Sequence, residues 1–347
     1  MHQPIVEFLN SLSPTQECRN ELLDLISKYS GNEELYDLRL EDSQDGNSLL
    51  HIAAKTGNLE AFKTLLREAK IPWNIVNTKG ISVGEVAKLN GHEDVYEFLV
   101  HEGVRTEIML TIMGERVVED GTHIMSNEPG VLPPNSEYLQ RHLIFSEGRL
   151  LDSDGNAVMM GWEEPLMKLH AAVICPKEGL HILNIGFGLG IFDQLIQDRQ
   201  PASHTIIEAH PDVYKHMIDN GWDSKPGVRI IHARWQDALP KLNQIYDGIF
   251  FDTFGEYIDD MKQFHEHLPN ILSDENGIYS FFNGLCGTNP FFHDVSCQIV
   301  ELDLLEMGLR TSFEDVDVET LGDDVWRNVK RAYWSLPVYR LPTVVFE

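Results

Sequence analysis

The chain has 347 residues, 42% of them hydrophobic and 24% charged, and this length and composition are typical of a globular protein with two domains. Its formal net charge of −28 disfavours a nucleic-acid substrate, because fixed negative charge repels phosphate; it favours a cationic partner, or serves solubility alone. No apolar run reaches the roughly eighteen residues of a transmembrane helix, and the first residues do not resemble a signal peptide, so we expect no membrane partner.

The four cysteines contain no CxxC pair, and they lie at Cys18, Cys175, Cys286 and Cys297. This spacing is typical of reduced thiols that are buried as small side chains. We therefore expect a protein of the cytoplasm and nucleus.

Residues 1–44 have a helical pattern. Ser13-Pro14 supplies a capping serine and a proline for the first helical position, and Gly31 is a typical stop signal. Leu22 and Ile26 belong to the apolar stripe of the helix that these signals predict.

Residues 45–103 contain two copies of one pattern. Residues recur at a spacing of 34 in four pairs: Gly46 and Gly80, Ala53 and Ala87, Gly57 and Gly91, and Leu65 and Leu99. The pattern resembles ankyrin repeats, which have a turn and two helices in about 33 residues. Two copies are too few to stand alone, so we expect the helices of 1–44 to add a degenerate repeat. Residues 1–103 are thus interpreted as a helical ankyrin-like module, a candidate docking surface for a substrate or partner.

A junction, residues 104–135, follows this module. Within it, Thr106–Val118 alternates between apolar and polar residues as a strand does. Beyond it, the apolar segments 143–151 and 157–160 flank the turn Asp152–Asn156 and predict a hairpin.

Strands and helices alternate from residue 180 onward, which predicts a mostly parallel sheet with helices on both faces. The predicted strands are 181–185, 204–208, 228–232, 246–252, 277–282, 312–317 and 336–345. The predicted helices, including one before the first strand, are 165–174, 190–199, 211–221, 236–243, 258–272 and 290–308. The last two strands leave little room for a crossover helix, so at least one of them is expected to be antiparallel.

A glycine turn, Gly186-Phe187-Gly188-Leu189-Gly190, joins the strand 181–185 to a helix. Its spacing is GxGxG and no Lys-Ser/Thr follows, which excludes a P-loop and weakens a dinucleotide site. Glu208 follows Gly190 by eighteen residues, at the end of the second strand, where an acid can accept both ribose hydroxyls. We therefore expect an adenosine site, while glycines that serve packing alone stay an alternative.

Three further stretches place polar groups near the same sheet edge. Trp235-Gln236-Asp237 follows the third strand, where Trp235 can cover an adenine or simply pack in the core. Asp252 ends a very apolar strand, where open α/β sheets place their sites, although it could also cap the next turn. Glu163-Glu164 precedes a helix, so one of the two turns into the cleft or both complement the positive helix end.

His265-Glu266-His267 is interpreted as solvated helix surface. Adjacent residues do not share a helix face and no third ligand is evident, so we expect no metal site.

Several stretches resemble guanidinoacetate methyltransferase in their order and spacing. They are Val158–Met167, which contains a Trp-Glu segment, Asn184–Leu189, Ile206–Glu208, Arg234–Asp237 and Tyr246–Phe254. With an ankyrin-like module in the same chain, the combination resembles the fungal type IV protein arginine N5-methyltransferases. The resemblance implies a class I S-adenosylmethionine-dependent methyltransferase domain over 136–347, with a Rossmann-like, seven-stranded and mostly parallel sheet.

The resemblance also implies an activity, the transfer of one methyl group from S-adenosylmethionine to the δ (N5) nitrogen of arginine in a protein, with ribosomal protein L12 the family's known substrate. A small-molecule guanidino methyltransferase and a binding protein with a vestigial cofactor fold stay open as alternatives. Carried over by position, Glu163 and Asp252 hold the guanidinium. The implied cofactor site consists of Tyr138, Phe145, Met160, Met167, Gly186, Phe187, Gly188, Leu189, Gly190, Ile191, Glu208, Ala209, His210, Trp235, Gln236 and Asp252.

Overall fold

The computed structural model describes residues 3–29, 45–113, 115–117, 123–125, 137–146, 148–256 and 258–347. The chain divides into two compact units, of which the first comprises Met1–Pro129 and Asn289–Ile299 and the second comprises Gly130–Thr288 and Val300–Glu347. The domain boundaries that the sequence indicates stay a prediction. None of the helices in the described ranges has the length and apolar character needed to cross a bilayer.

The described part of the first unit is built mainly of helices. They are α1 (Gln3–Ser11), α2 (Arg19–Tyr29), α3 (Leu49–Thr56), α4 (Leu59–Arg67), α5 (Val83–Leu89) and α6 (Glu93–Met113). Two short strands, β1 (Glu115–Val117) and β2 (His123–Met125), pair in the antiparallel sense. Because α1 packs on α3 and α2 packs on α4, the expected additional helix pair is present.

The two ankyrin-like copies begin their first helices with the same cap. In the first copy, the Ser48 hydroxyl accepts the N–H of His51, and His51 Nδ1 accepts the N–H of Ser48 at 3.1 Å. In the second copy, Ser82 and Glu85 exchange the same two bonds at 3.2 and 2.7 Å. Glu85 therefore caps the helix start as His51 does in the first copy. Helix α5 of the second copy keeps its capped start although the S-L-L-H tetrapeptide is lost.

The helix start predicted at Ser13-Pro14 is wrong. These residues lie between α1 and α2, where the Asn58 side chain donates to two backbone carbonyls of the connection at 2.6 and 2.9 Å. A tertiary contact thus holds the backbone outside a helix, despite the local capping signal. Leu22 and Ile26 are buried as predicted, and Gly31 lies outside the described residues.

The strand predicted over Thr106–Val118 is wrong for most of its length. Helix α6 continues to Met113, and the Thr106 hydroxyl donates to Glu102 O, one turn earlier, at 2.7 Å. Ile112 is 79% exposed, so the alternation of apolar residues does not mark a buried sheet face. A period of two misleads here because residues 106–113 continue the helix, and only Glu115–Val117 of the predicted strand pairs with another strand in the described ranges.

The second unit contains a small antiparallel sheet of three strands, β3 (Leu143–Ser146), β4 (Arg149–Asp152) and β5 (Ala157–Met160). The predicted hairpin between β4 and β5 is confirmed, and the Asp152 carboxylate accepts two backbone N–H groups of its turn at 2.9 and 2.8 Å. The single strand predicted over 143–151 is divided in two, because Gly148 adopts a left-handed turn conformation with φ 73°.

A larger sheet forms the centre of the second unit. Its strands are β6 (His181–Ile185), β7 (Ser203–Glu208), β8 (Val228–His232), β9 (Gly248–Phe251), β10 (Ile278–Phe281), β11 (Leu309–Asp317) and β12 (Val338–Phe346). They are ordered β11-β12-β10-β9-β6-β7-β8, with β12 antiparallel to both neighbours and the pairs from β10 to β8 parallel. The mostly parallel sheet is therefore confirmed, and so is the expectation that at least one of the last two strands is antiparallel, since β12 runs against the rest of the sheet.

Helices cover both faces of this sheet. The α-helices between residues 164 and 306 are α7 (Glu164–Ile174), α8 (Ile191–Gln197), α9 (Pro211–Asp219), α10 (Trp235–Ala238), α11 (Ile258–His265), α12 (Leu268–Ile271) and α13 (Pro290–Glu306). On β9, Ile249 and Phe251 pack into one core while Phe250 packs into the other. Burial on both faces explains why this strand is apolar throughout rather than alternating.

The register of the sheet brings the glycine turn and two carboxylates to one edge. Ile185 of β6 pairs with Ile207 of β7 and with Phe251 of β9. Because these strands are parallel, the residues that follow them, the glycine turn, Glu208 and Asp252, meet at their carboxyl ends.

The interpretation of His265-Glu266-His267 as solvated surface is wrong for His265, which is fully buried. Its Nδ1 lies 2.8 Å from a carboxylate oxygen of Asp303 and its Nε2 lies 3.2 Å from the Tyr279 hydroxyl. Two partners on other elements satisfy the ring, so helix α11 can turn it toward the core. Within the described ranges, no group of His, Cys, Asp or Glu side chains has the arrangement of metal ligands.

None of the four cysteines, all of which lie in described ranges, forms a disulfide; Cys18, Cys175 and Cys297 are buried as predicted, whereas Cys286 is half-buried.

Candidate active site

A cavity opens at the carboxyl ends of β6, β7, β8 and β9. Nine of the residues predicted for the site line its wall: Tyr138, Gly186, Phe187, Gly188, Glu208, Ala209, Trp235, Gln236 and Asp252. Eleven residues outside the predicted site set complete the wall: Leu139, Val158, Met159, Ile185, Ile207, Val213, Ala233, Arg234, Thr253, Phe254 and Glu256. The structure thus brings together residues from four strand ends and from the small sheet.

The glycine turn presses against the neighbouring backbone. Gly186 has φ 90°, and a side chain on it would overlap the carbonyl oxygen of Asp252. Gly188 has φ 56°, and a Cβ there would lie 2.6 Å from Met159 Sδ, which accepts the N–H of Leu189 at 3.2 Å. Glycine is therefore required at 186 for close approach to backbone as well as for conformation, whereas at 188 the left-handed conformation is the main reason for glycine.

Glu208 links the glycine turn to the end of β7. Its two carboxylate oxygens accept the N–H of Phe187 at 2.9 Å and the N–H of His210 at 2.6 Å. Burial raises the pKa of Glu208 to about 7, and these backbone bonds oppose the rise because they stabilise the charged form. The carboxylate is therefore fixed in place at the cavity wall.

Glu256 holds the side chains that follow β8. Its carboxylate accepts the indole N–H of Trp235 at 2.9 Å and the amide of Gln236 at 3.1 Å, and burial raises the pKa of Glu256. The amide oxygen of Gln236 is buried and has no hydrogen-bond partner among the described residues. A buried acceptor without a donor is costly, so this part of the wall suits a ligand that donates a hydrogen bond.

Glu163 turns inward at the start of α7. Its side chain is buried, and its Oε1 accepts the Met160 N–H at 2.8 Å and also the hydroxyl of Tyr333. Glu164, by contrast, is exposed and pairs with Lys168 at 2.8 Å. Of the two glutamates, only Glu163 is therefore placed for chemistry.

Glu163 and Asp252 perturb each other. Burial, and then the negative charge of Asp252, raise the pKa of Glu163; burial, and then the charge of Asp193, raise the pKa of Asp252. Neither carboxylate forms an ion pair with a lysine or arginine of the described part of the chain. A buried carboxylate, Glu163, beside a half-buried one, Asp252, with no cation from the described residues, favours a positively charged ligand.

The remaining predicted residues lie outside the wall. Phe145 stacks on the ring of His216 at 4.2 Å, and the ring of His210 packs 4.8 Å from that of Tyr138. The others are Glu163, Met160 and Met167, which are buried, and Leu189, Gly190 and Ile191, which lie around the start of α8. Whether these residues contact a bound cofactor stays a prediction.

Glu256 and Tyr333 are functional candidates that the sequence does not predict, because their partners are distant in the chain. Glu256 meets Trp235 across 21 residues, and Tyr333 meets Glu163 across 170 residues. Only the Thr-Phe-Gly-Glu stretch directly after Asp252 gave a signal, since loops at strand ends build such sites.

Residues 146–283 match the family model of guanidinoacetate N-methyltransferase, and residues 45–78 match that of the ankyrin repeat. Over 334 residues the chain is 38% identical to protein arginine N-methyltransferase 2 of Cryptococcus neoformans var. neoformans, with 87% of this chain and 86% of the relative covered. The protein of the same name from Aspergillus oryzae is 37% identical, with 80% of this chain and 76% of the relative covered. The chain belongs to the protein arginine N-methyltransferase 2 family.

This member of the protein arginine N-methyltransferase 2 family has a class I methyltransferase fold and an ankyrin repeat, as the sequence predicts. Among solved structures, the precorrin-6y C5,15-methyltransferase of Geobacter metallireducens is similar at 14% identity with a TM-score of 0.40, and the match covers 53% of this chain and 88% of that chain.

Proposed function

We propose that the chain uses S-adenosylmethionine to place one methyl group on the δ (N5) nitrogen of arginine residues in a protein. The observation that carries the proposal is the pair of carboxylates, buried Glu163 and half-buried Asp252, which has no cationic partner among the described residues. The names of its relatives, which contain arginine methyltransferase, support the substrate class.

The cavity wall fits S-adenosylmethionine. Gly186 and Gly188 allow a ligand to lie against backbone, Glu208 lies at the end of β7 where ribose hydroxyls are accepted, and the open amide oxygen of Gln236 suits the adenine amino group. When bound, the cofactor supplies a methyl group on a positively charged sulfur, which keeps the electron pair of the broken carbon–sulfur bond.

Two carboxylates can make a guanidinium react at its inner nitrogen. The guanidinium is always protonated in water and is a poor nucleophile. Charge-assisted bonds from Glu163 and Asp252 to the terminal nitrogens concentrate the positive charge there, so the lone pair of the δ-nitrogen becomes free to form the new bond to carbon. One N–H proton then leaves, so that the product keeps a single positive charge. The raised pKa values of both carboxylates allow either of them to accept that proton.

The substrate is proposed to be a protein, with ribosomal protein L12 as the first to test, in the cytoplasm and nucleus. A net charge of −28 suits a basic partner. The ankyrin-like unit supports protein docking, because stacked repeats present extended binding surfaces.

The proposal is tested by incubating the full chain with methyl-labelled S-adenosylmethionine and L12, and then hydrolysing the protein to amino acids. Label in N5-methylarginine is expected. Label confined to arginine methylated on a terminal nitrogen, or absence of labelled arginine with a folded chain, contradicts the proposal.

A small-molecule guanidino methyltransferase is a second candidate, because residues 146–283 match the guanidinoacetate N-methyltransferase family. Guanidinoacetate in place of L12 distinguishes the two. Efficient transfer to guanidinoacetate together with no transfer to protein favours the second candidate.

A further inference from the structure

The Glu163 carboxylate is held from one side only. Both of its donors in the described part of the chain, the Met160 N–H and the Tyr333 hydroxyl, contact the same oxygen, Oε1. No donor in the described part of the chain contacts Oε2, and none contacts the carboxylate of Asp252. The arrangement fixes the orientation of Glu163 and leaves one of its oxygens available to a ligand.

Tyr333 comes from the connection between β11 and β12, residues 318–337. This connection is anchored on the small sheet, because the guanidinium of Arg149 donates to two of its carbonyls at 2.8 Å and the N–H of Lys330 donates to Gly155 O at 2.8 Å. On the other side of the tyrosine, the N–H of Ser335 donates to Gly287 O at 2.8 Å. The backbone that carries the hydroxyl is thus fixed at both ends.

The ring of Tyr333 is fixed as well. It packs against two tryptophans that also contact each other, with centroid distances of 5.0 Å to Trp326 and 5.9 Å to Trp162, and all three rings are half-buried. Packing of this kind determines the direction of the hydroxyl before any substrate arrives, which is what precise placement of a reactive group requires.

We propose that Tyr333 is a positioning residue for the guanidinium site: its hydroxyl, together with the Met160 N–H, holds Oε1 of Glu163 so that Oε2 is presented to a terminal nitrogen of the substrate arginine. This inference rests on the proposed function. It makes the β11–β12 connection part of the substrate site, although that connection contributes no residue to the cavity wall.

Removing the Tyr333 hydroxyl changes the pKa of Glu163, which is an electrostatic effect distinct from a loss of packing. The groups that face Glu163 are the Asp252 carboxylate, the Tyr333 hydroxyl and the Met160 N–H, and Asp193 acts on Asp252 from α8. The hydroxyl opposes the rise in the pKa of Glu163, because it stabilises the charged form. In Tyr333→Phe, Glu163 therefore needs a higher pH to ionise.

The test compares the full chain with Tyr333→Phe, using L12 as substrate across a range of pH. Loss of one bond to a buried charge is expected to lower kcat/KM about 10- to 100-fold near neutral pH. The acid limb of the profile is expected to move up by about one pH unit, with partial recovery at high pH. Tyr214→Phe, whose ring stacks on His232 far along the chain from Glu163, is the control and is expected to keep the wild-type profile.

Two further measurements separate positioning from a purely structural role. Calorimetry with S-adenosylhomocysteine is expected to give the same Kd for Tyr333→Phe as for the wild type. Infrared titration of the protonated Glu163 carboxyl, assigned by its absence in Glu163→Gln, is expected to shift to higher pH in Tyr333→Phe. In the Glu163→Gln background, Tyr333→Phe is expected to cause no further loss of activity.

An unchanged profile and an unchanged infrared titration overturn the inference, and so does a uniform loss of kcat with no movement of the acid limb. If the wild-type chain methylates no arginine, the proposed function fails, and the infrared titration alone then decides whether Tyr333 sets the state of Glu163.

Discussion

Two carboxylate positions at one sheet edge have opposite surroundings. Glu208, at the end of β7, accepts backbone N–H groups on both of its oxygens. Asp252, just after β9, accepts no bond from the described residues and is exposed to the charge of a second carboxylate, Glu163. Burial raises the pKa of all three carboxyl groups; donors of the protein oppose this rise through both oxygens of Glu208 and through one oxygen of Glu163.

The difference indicates a division of work within one cavity. Glu208 ties the glycine turn to its neighbouring strand and so shapes a site for a ligand that binds through hydroxyl groups. Glu163 and Asp252 have few hydrogen-bond donors around them, so a bound cation would supply the donors that they lack. The bonds formed in this way can therefore contribute to the recognition of a guanidinium.

The largest effect should come from Glu163→Gln, which removes one charge of the pair. Amides cannot concentrate positive charge on the terminal nitrogens, so kcat on L12 is expected to fall about 10²- to 10³-fold. Steady-state methyl transfer measures this. Glu164→Gln, which alters the exposed neighbour paired with Lys168, is the matched control and should retain activity. Equal losses in the two variants would contradict the division of work.

Gly186→Ala should destabilise the turn that Glu208 supports. A methyl group there overlaps Asp252 O, so we expect a loss of about 3 kcal/mol in the free energy of unfolding. Gly179→Ala is the control, because Gly179 has a similar φ of 78° but nothing near its added Cβ, and should lose only about 1–2 kcal/mol. Denaturant unfolding compares the two, and equal losses would show that close approach is not the reason for glycine.

Glu208→Gln should weaken the cofactor site while sparing the guanidinium site. Its amide presents a donor where the backbone also donates, so S-adenosylhomocysteine is expected to bind about 10- to 100-fold more weakly. Calorimetry measures this, with exposed Glu178→Gln as the control. An unchanged Kd would remove Glu208 from the cofactor site.

The smallest effect concerns stability against pH. Because the folded state raises the pKa of Glu163 and of Asp252, their protonated forms favour folding, and that contribution is lost as pH rises through the raised values. Wild-type Tm is expected to fall by several degrees between about pH 5 and about pH 9. The double variant Glu163→Gln/Asp252→Asn should fall less, whereas an identical pH slope would show that the pair carries no repulsion.

Site residues at the ends of strands can be predicted from the sequence, whereas residues whose roles depend on tertiary contacts cannot. Glu208 and Asp252 could be found because each directly follows an apolar strand, and parallel strands bring such ends together. Tyr333 and Glu256 could not be found, because their roles depend on partners brought near by folding. His265 was misread for the same reason: its buried partners lie on other elements.

The most direct measurement is a crystal structure of the full chain with S-adenosylhomocysteine and an arginine-containing peptide of L12. We expect the terminal nitrogens of the arginine to contact Glu163 Oε2 and Asp252, while the δ-nitrogen faces the sulfur. A guanidinium bound away from these carboxylates, or one with a terminal nitrogen facing the sulfur, would contradict it.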